Sequence, residues 1–172
     1  TPICDGHDVA AAAITRLIRA AGAEAIYIGF NKSPQQIVKA TIEEDASGIA
    51  LSTYNGGHMT FVRELRNEQA KHGISDVPLF CGGGGTILPR EVKPLERMGV
   101  TKVYRPPMDL MAAVTDMIER ARLSDGARTG SKLDTGSMFL PLSRQLTNVE
   151  WNVCVRKAEM RESGEFPWVW GV

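Results

Sequence analysis

The stretch GIALSTYNGGHMTFVREL, Gly48 to Leu65, decides the fold. Its first part, GIALSTY at 48–54, is a short apolar run that reads as a strand. A glycine pair, Gly56-Gly57, follows. Phe61, Val62 and Leu65 then recur at helical spacing, and Gly73 ends the helix. Strand, glycine turn and helix make one unit of a parallel sheet, and the unit repeats on both sides. Upstream, AIYIGF (25–30) reads as a strand. Ser33-Pro34-Gln35-Gln36 then reads as a capping box with proline at the first helical position, opening a helix that carries Ile37, Val38 and Ile42. Downstream, VPLFC (77–81) runs into Gly82-Gly83-Gly84-Gly85 and a helix from about Pro89 to Met98. TKVYR (101–105) is followed by Asp109, which caps a last helix carrying Met111, Val114, Met117 and Ile118. At the front, a helix from Asp8 to about Ala21 carries Ile14, Leu17 and Ile18 beside alanines 10 to 13, and Gly22 stops it.

If residues 1–4 close a first strand, the expectation is an α/β chain with a flavodoxin-like (Rossmann-like), doubly wound, five-stranded parallel sheet. Ligands then sit outside the C-terminal ends of the strands. This domain should span residues 1–122, with a polar, glycine-rich linker at 123–137. The extension 138–172 holds all three tryptophans, Trp151, Trp168 and Trp170. It reads as a segment packing on another domain or subunit, or as one wrapping back over its own sheet.

Charge is balanced, 20 Lys+Arg against 20 Asp+Glu, which gives no reason to expect nucleic acid or an anionic membrane. No apolar run approaches the roughly 18 residues of a membrane span, and no leader is read at the front. Cys4, Cys81 and Cys154 are odd in number and far apart, so a reducing cytoplasm is expected rather than a disulfide framework. The chain opens without methionine and reaches Asp5 at once, which reads as a piece of a larger protein.

Three loops at the expected ligand edge are unusual: Asp5-Gly6-His7-Asp8, Ser52 to His58, and Gly82 to Gly85. A phospho-receiver needs an aspartate where the third strand ends, and this one ends in Ser-Thr-Tyr. Two carboxylates in the first turn would repel the phosphate of a flavin nucleotide. GGGGTILP lacks the Gly-Lys-Ser/Thr ending of a Walker loop. Four consecutive glycines cost backbone entropy and read as a place where something lies directly on the main chain. Asp5, two residues before His7, can accept a hydrogen bond from one ring nitrogen and make the other a better metal ligand. One histidine cannot build a zinc site, but it can complete a metal already held by a macrocycle. Simpler readings stand beside these. Asp8 reads as a helix cap, His58 as either a solvated loop residue or a cofactor contact, and His72 as a helix C-terminal cation. Cys81 reads as a buried small apolar residue. Arg105 reads as a solvated side chain, or one that touches a cofactor amide or partner domain.

Asp-x-His in the first loop, a serine ending the third strand and a glycine run ending the fourth resemble a cobalamin-binding domain, over about residues 1–122. DGHD, GGHMT and a glycine run leading into I-x-P are most similar to adenosylcobalamin-dependent acyl-CoA mutases of the methylmalonyl-CoA and fused isobutyryl-CoA mutase kind. The resemblance implies that His7 is the lower axial ligand of cobalt and Asp5 its partner. Ser52 would hydrogen-bond the displaced base, and Gly82, Gly83, Gly84 and Gly85 would line the channel for the nucleotide tail. Gly56, Gly57 and His58 would border the corrin. Gly6, Asp8, Val9, Ala10, Ile14, Tyr54, Tyr104 and Pro106 complete the expected cofactor contacts. Ala10 stands where the family has glycine, Tyr54 where leucine is usual, and Tyr104-Arg105-Pro106-Pro107 replaces the common Pro-Gly loop. The chain would bind adenosylcobalamin and catalyse nothing alone. Its expected partners are an acyl-CoA-binding barrel domain or subunit and a GTPase chaperone domain. A corrinoid methyl-transfer protein and a cobalamin-dependent sensor are the rival classes.

Overall fold

The computed structural model describes residues 9–54, 56–83 and 85–133. In chain order it forms α1 (Val9–Ala20), α2 (Pro34–Glu43), β1 (Ile49–Ser52), α3 (His58–Lys71), β2 (Leu79–Gly82), α4 (Pro89–Arg97), β3 (Lys102–Tyr104) and α5 (Leu110–Leu133). The strands form a parallel sheet in the order β1-β2-β3. Ile49 stands beside Leu79 and Ser52 beside Gly82, while Phe80 stands beside Lys102 and Gly82 beside Tyr104. The protein is therefore α/β with a parallel sheet.

Alternation along the strands sorts the core into two layers. Ile49, Leu51, Leu79, Cys81 and Val103 join Ile37 and Val38 of α2, Val62 and Leu65 of α3 and Leu95 of α4 in one buried cluster.

 Leu95 is the α4 member of that cluster and is fully buried. Phe80 and Tyr104, with Ala50 packed against them, point the other way and meet Ile18 of α1 and Ala113, Val114, Met117, Ile118 and Ala121 of α5. Each fully buried aliphatic side chain contributes roughly 1.5–3 kcal/mol. Gly48 lets the Phe80 ring lie close, since a Cβ there would stand 3.1 Å from Phe80 Cε2.

Local chemistry sets several boundaries. Ser33 Oγ accepts the Gln36 N–H at 3.2 Å, and Gln36 Oε1 accepts the Ser33 N–H at 3.0 Å, so the expected capping box opens α2. Asp109 Oδ1 accepts the Ala112 N–H at 2.7 Å at the start of α5. Two expectations need correction. Residues 25–30 form no strand among the described residues, because a strand exists only as part of a ladder and their expected neighbour, residues 1–4, lies outside the described set. The other correction concerns the stretch read as linker. Helix α5 continues to Leu133, well into 123–137. Its glycines cost helix propensity without forbidding a helix, and Ser124 Oγ donates to Asp76 O at 2.9 Å, tying this part of α5 to the body.

Paired carboxylates set the acid limit of stability. The Lys71 ammonium, with His72, holds the Glu68 carboxyl below its ordinary range. The Leu88 N–H does the same for Glu91, and the Arg120 guanidinium for Asp116. Each folded pKa lies below its unfolded value, so the unfolded chain takes up protons first as pH falls. The stabilisation is complete above the ordinary carboxylate range, roughly pH 4, and is lost as pH drops through the lower folded values. Urea midpoints measured across a pH series should be flat near neutrality and decline below about pH 4. A midpoint that rises on acidification contradicts these pairings.

Candidate cofactor site

A cavity of ≈ 300 Å³ lies between the second face of the sheet and helices α1 and α5. Its floor is made by Ile49 to Ser52 of β1, Phe80 to Gly82 of β2 and Tyr104 of β3, and past the β1 edge it reaches Ile37 and Thr41 of α2. Its roof is Ala10, Ala11, Ile14 and Ile18 of α1 with Leu110, Ala113, Val114 and Met117 of α5. Residues 25–28 close one side, and Gly83, Pro106 and Met108 stand where the strands end. The lining is almost wholly apolar, and its size is at the lower end of ligand pockets. Such a slot takes one flat apolar group rather than a whole macrocycle.

The sequence folds this way for identifiable reasons. Alanines on α1 and glycines at the end of β2 leave volume that larger side chains would fill. Tyr104 is buried, and its hydroxyl donates to Asp116 Oδ2 at 2.9 Å. Arg120 Nε lies 2.9 Å from both Asp116 oxygens. Burial first, and the Asp116 carboxylate second, raise the Tyr104 phenol above its ordinary range. The phenol therefore stays protonated, and its ring is fixed as a cavity wall, 6.3 Å from the Phe80 ring centre. Cys81 also borders the cavity, and burial pushes its thiol up to about 12. It is a small apolar residue there, with no thiolate at neutral pH.

The glycine run divides by role. A Cβ at Gly83 would stand 2.5 Å from the Thr53 carbonyl oxygen and 3.0 Å from Thr53 Cγ2. What lies on this glycine is the protein's own β1–α3 loop, so no ligand is needed to explain it. Gly85 has φ +103°, a conformation that strains any side chain. Gly82 is different. A Cβ there meets only Tyr104 O at 3.7 Å and Tyr104 Cβ at 3.9 Å, ordinary contacts. The fold does not demand glycine at 82, while the cavity it lines does benefit from one.

Of the residues singled out in the sequence, Ala10, Ile14, Ser52, Gly82, Gly83, Tyr104 and Pro106 come together around the cavity. Val9, Tyr54, Gly56, Gly57 and Gly85 are exposed and outside its lining. His58 is not a solvated loop residue. It begins α3, is 1% exposed, and pairs with Glu91 rather than lining the cavity. Arg105 is half-buried, and its Nε donates to the Ile87 carbonyl, so it ties two loops together. His72 Nε2 lies 3.3 Å from Glu68 Oε1 at the end of α3. Asp5, Gly6, His7, Asp8 and Gly84 lie outside the described residues. Among the described residues, no group of three or more His, Cys, Asp or Glu side chains could hold a metal ion, and no helix is long and apolar enough to cross a membrane.

Sequence reading missed Phe80, Met108, Leu110 and Met117 as lining residues. The period-two register was the usable signal. Once Ser52 is assigned to the ligand face, its partner Gly82 and then Phe80, two residues back, must share that face.

A parallel α/β layer with a small-residue slot at its strand ends defines a class of ligand-binding domain, and comparison with known sequences says which. The profile of the B12 binding domain family matches residues 4–115, and the chain belongs to that family. It is 36% identical over 135 residues to a fused isobutyryl-CoA mutase of Cupriavidus metallidurans, covering 76% of this chain and 12% of that protein. A second fused isobutyryl-CoA mutase, from Geobacillus kaustophilus, is 42% identical over 102 residues, covering 59% of this chain and 9% of that protein. The 2-hydroxyisobutanoyl-CoA mutase small subunit of Aquincola tertiaricarbonis is 28% identical over 128 residues, covering 72% of this chain and 89% of that subunit. The chain thus spans about a tenth of the length of the fused relatives and most of the length of the small subunit.

Proposed function

We propose that the chain is the cofactor domain of an adenosylcobalamin-dependent acyl-CoA mutase. The observation that carries this reading is the apolar cavity roofed by Ala10 and Ala11 and floored by Ser52 and Gly82. A cobalamin whose lower base has left the metal must place that flat heterocycle somewhere dry, and the cavity fits one such group. Ser52, at the floor, would hydrogen-bond a ring nitrogen, and the Tyr104 ring would form a wall. His7, two residues before α1 in the sequence, would ligate the cobalt, with Asp5 orienting its imidazole. When bound, the cofactor supplies a radical by homolysis of its Co–C bond. The residues of this chain hold the base, exclude water from the slot and orient the axial imidazole.

The same reading completes the fold as a five-stranded flavodoxin-like sheet, with residues 1–4 and 25–30 as the two further strands. It keeps residues 1–122 as the cobalamin domain. Residues 138–172 would dock on another domain or subunit. An acyl-CoA-binding barrel would be supplied in the same polypeptide, as the lengths of the fused relatives suggest, or by a partner subunit, as the small subunit suggests. A GTPase chaperone domain and a cytoplasmic location belong to this proposal as well.

The test is a binding titration of the chain with adenosylcobalamin, followed by electron paramagnetic resonance of the cobalt(II) form bound to chain carrying 15N-labelled histidine, which identifies the nitrogen on the metal. Saturable binding with displacement of the lower base supports the reading. Binding of the intact base-on form refutes it.

A further inference from the structure

His58 and Glu91 form a buried tie between two ligand-edge loops. His58 is the first residue of α3, and its side chain is 2% exposed. Its Nε2 lies 3.2 Å from Glu91 Oε2. The same carboxylate oxygen accepts the Leu88 N–H at 2.8 Å, so Glu91 caps α4 and holds His58 at once. His58 Nδ1 is buried with no hydrogen-bond partner among the described residues. That assigns the proton to Nε2, which donates to Glu91, since a proton on Nδ1 would be a buried donor without an acceptor. The Leu88 N–H first, then His58, keep the Glu91 carboxyl below its ordinary range, so the partner is a carboxylate.

Three other bonds show where the tie acts. The Thr53 N–H donates to Gly82 O at 2.8 Å where both loops begin. Thr86 Oγ1 donates to Tyr54 O at 3.1 Å on the exposed side. Arg105 brings the loop after β3 onto Ile87 O. The His58–Glu91 pair fastens the far, buried end, where α3 and α4 start. These loops leave the strand ends at Ser52, Gly82 and Gly83, which border the cavity.

We propose that His58–Glu91 is a latch that sets the spacing of the β1–α3 and β2–α4 loops. His58 is then a positioning residue for the group that enters the cavity, acting through Glu91 without touching that group. This rests on the cavity receiving the nucleotide base of cobalamin.

The experiment uses the full chain with His58→Leu, which keeps apolar bulk, Glu91→Gln, which keeps an acceptor for the Leu88 N–H, and the double variant. Adenosylcobalamin affinity should fall about tenfold in His58→Leu, equivalent to roughly 1.4 kcal/mol. The double variant should be little worse than that single variant, because the two residues form one interaction. Cobinamide, which lacks the nucleotide tail, should bind parent and variants alike. Amide exchange should quicken at 53–57 and 85–88 and stay unchanged in α2. Equal losses for cobalamin and cobinamide, additive losses, unchanged affinity or unchanged exchange would each overturn the latch. Failure of the reading beneath it is separately visible, because the unmutated chain would then bind no adenosylcobalamin. In that case the positioning role falls with it.

Discussion

Gly83→Val should destabilise the chain severely whether or not a ligand is present, while Gly82→Ala should leave the fold intact and cost ligand affinity. The neighbouring glycines look alike in the sequence, and their surroundings separate them. At Gly83 a Cβ meets the backbone of Thr53 at 2.5 Å, and neither β2 nor the end of β1 can retreat without breaking the Thr53 N–H to Gly82 O bond. Overpacking of this kind costs about 1–3 kcal/mol, and backbone contact puts Gly83→Val at the upper end. At Gly82 the added methyl finds only ordinary contacts and stands on the cavity-facing side of β2. Its melting temperature should stay close to the parent's, and adenosylcobalamin should bind about 10–100-fold more weakly, from the same overpacking range applied to the occupied cavity. Thermal melts of both variants, with titrations of Gly82→Ala, decide the matter. A stable Gly83→Val would show that the loops do not cross so closely. Undiminished binding by Gly82→Ala would show that the cavity does not receive the ligand.

Phe80→Ala should lose about 3–5 kcal/mol of unfolding free energy, the range for deleting a buried phenylalanine. Phe80 is 1% exposed, packs on Gly48 and Tyr104, and forms cavity floor. Its removal merges new space with the ≈ 300 Å³ already there, so neighbouring side chains have little means of closing the gap. That loss is a large share of the roughly 5–15 kcal/mol available to a domain. A bound ligand that fills the enlarged slot should restore part of it by mass action. Urea unfolding with and without adenosylcobalamin measures both effects. A loss under about 1 kcal/mol would mean that the ring is not the core element described.

Much of the layer order was readable in advance because its signals are local. The Ser33 capping box, the apolar run in GIALSTY and the Asp109 cap each depend on a few adjacent residues, and each gave the element expected. The failures came where the decisive neighbour is distant in sequence. Residues 25–30 have the composition of a strand, yet their expected pairing partner, residues 1–4, lies outside the described residues. SDGARTGSKL looks like a linker by its glycines and polarity, yet α5 runs through it. The glycine run suggested close approach correctly in kind, but for Gly83 the approaching group is Thr53, thirty residues away in the chain. His58 was legible only as a solvated loop histidine or a cofactor contact, because its partner Glu91 lies 33 residues on. The cavity itself emerges only when the strand register is known.

The central claim is that an imidazole of this chain replaces the lower base of cobalamin while the base enters the cavity. The visible spectrum of adenosylcobalamin bound to the parent chain and to His7→Ala tests it most directly. The account predicts a base-off, histidine-ligated spectrum for the parent and its loss in His7→Ala. Identical spectra for the two proteins would contradict it.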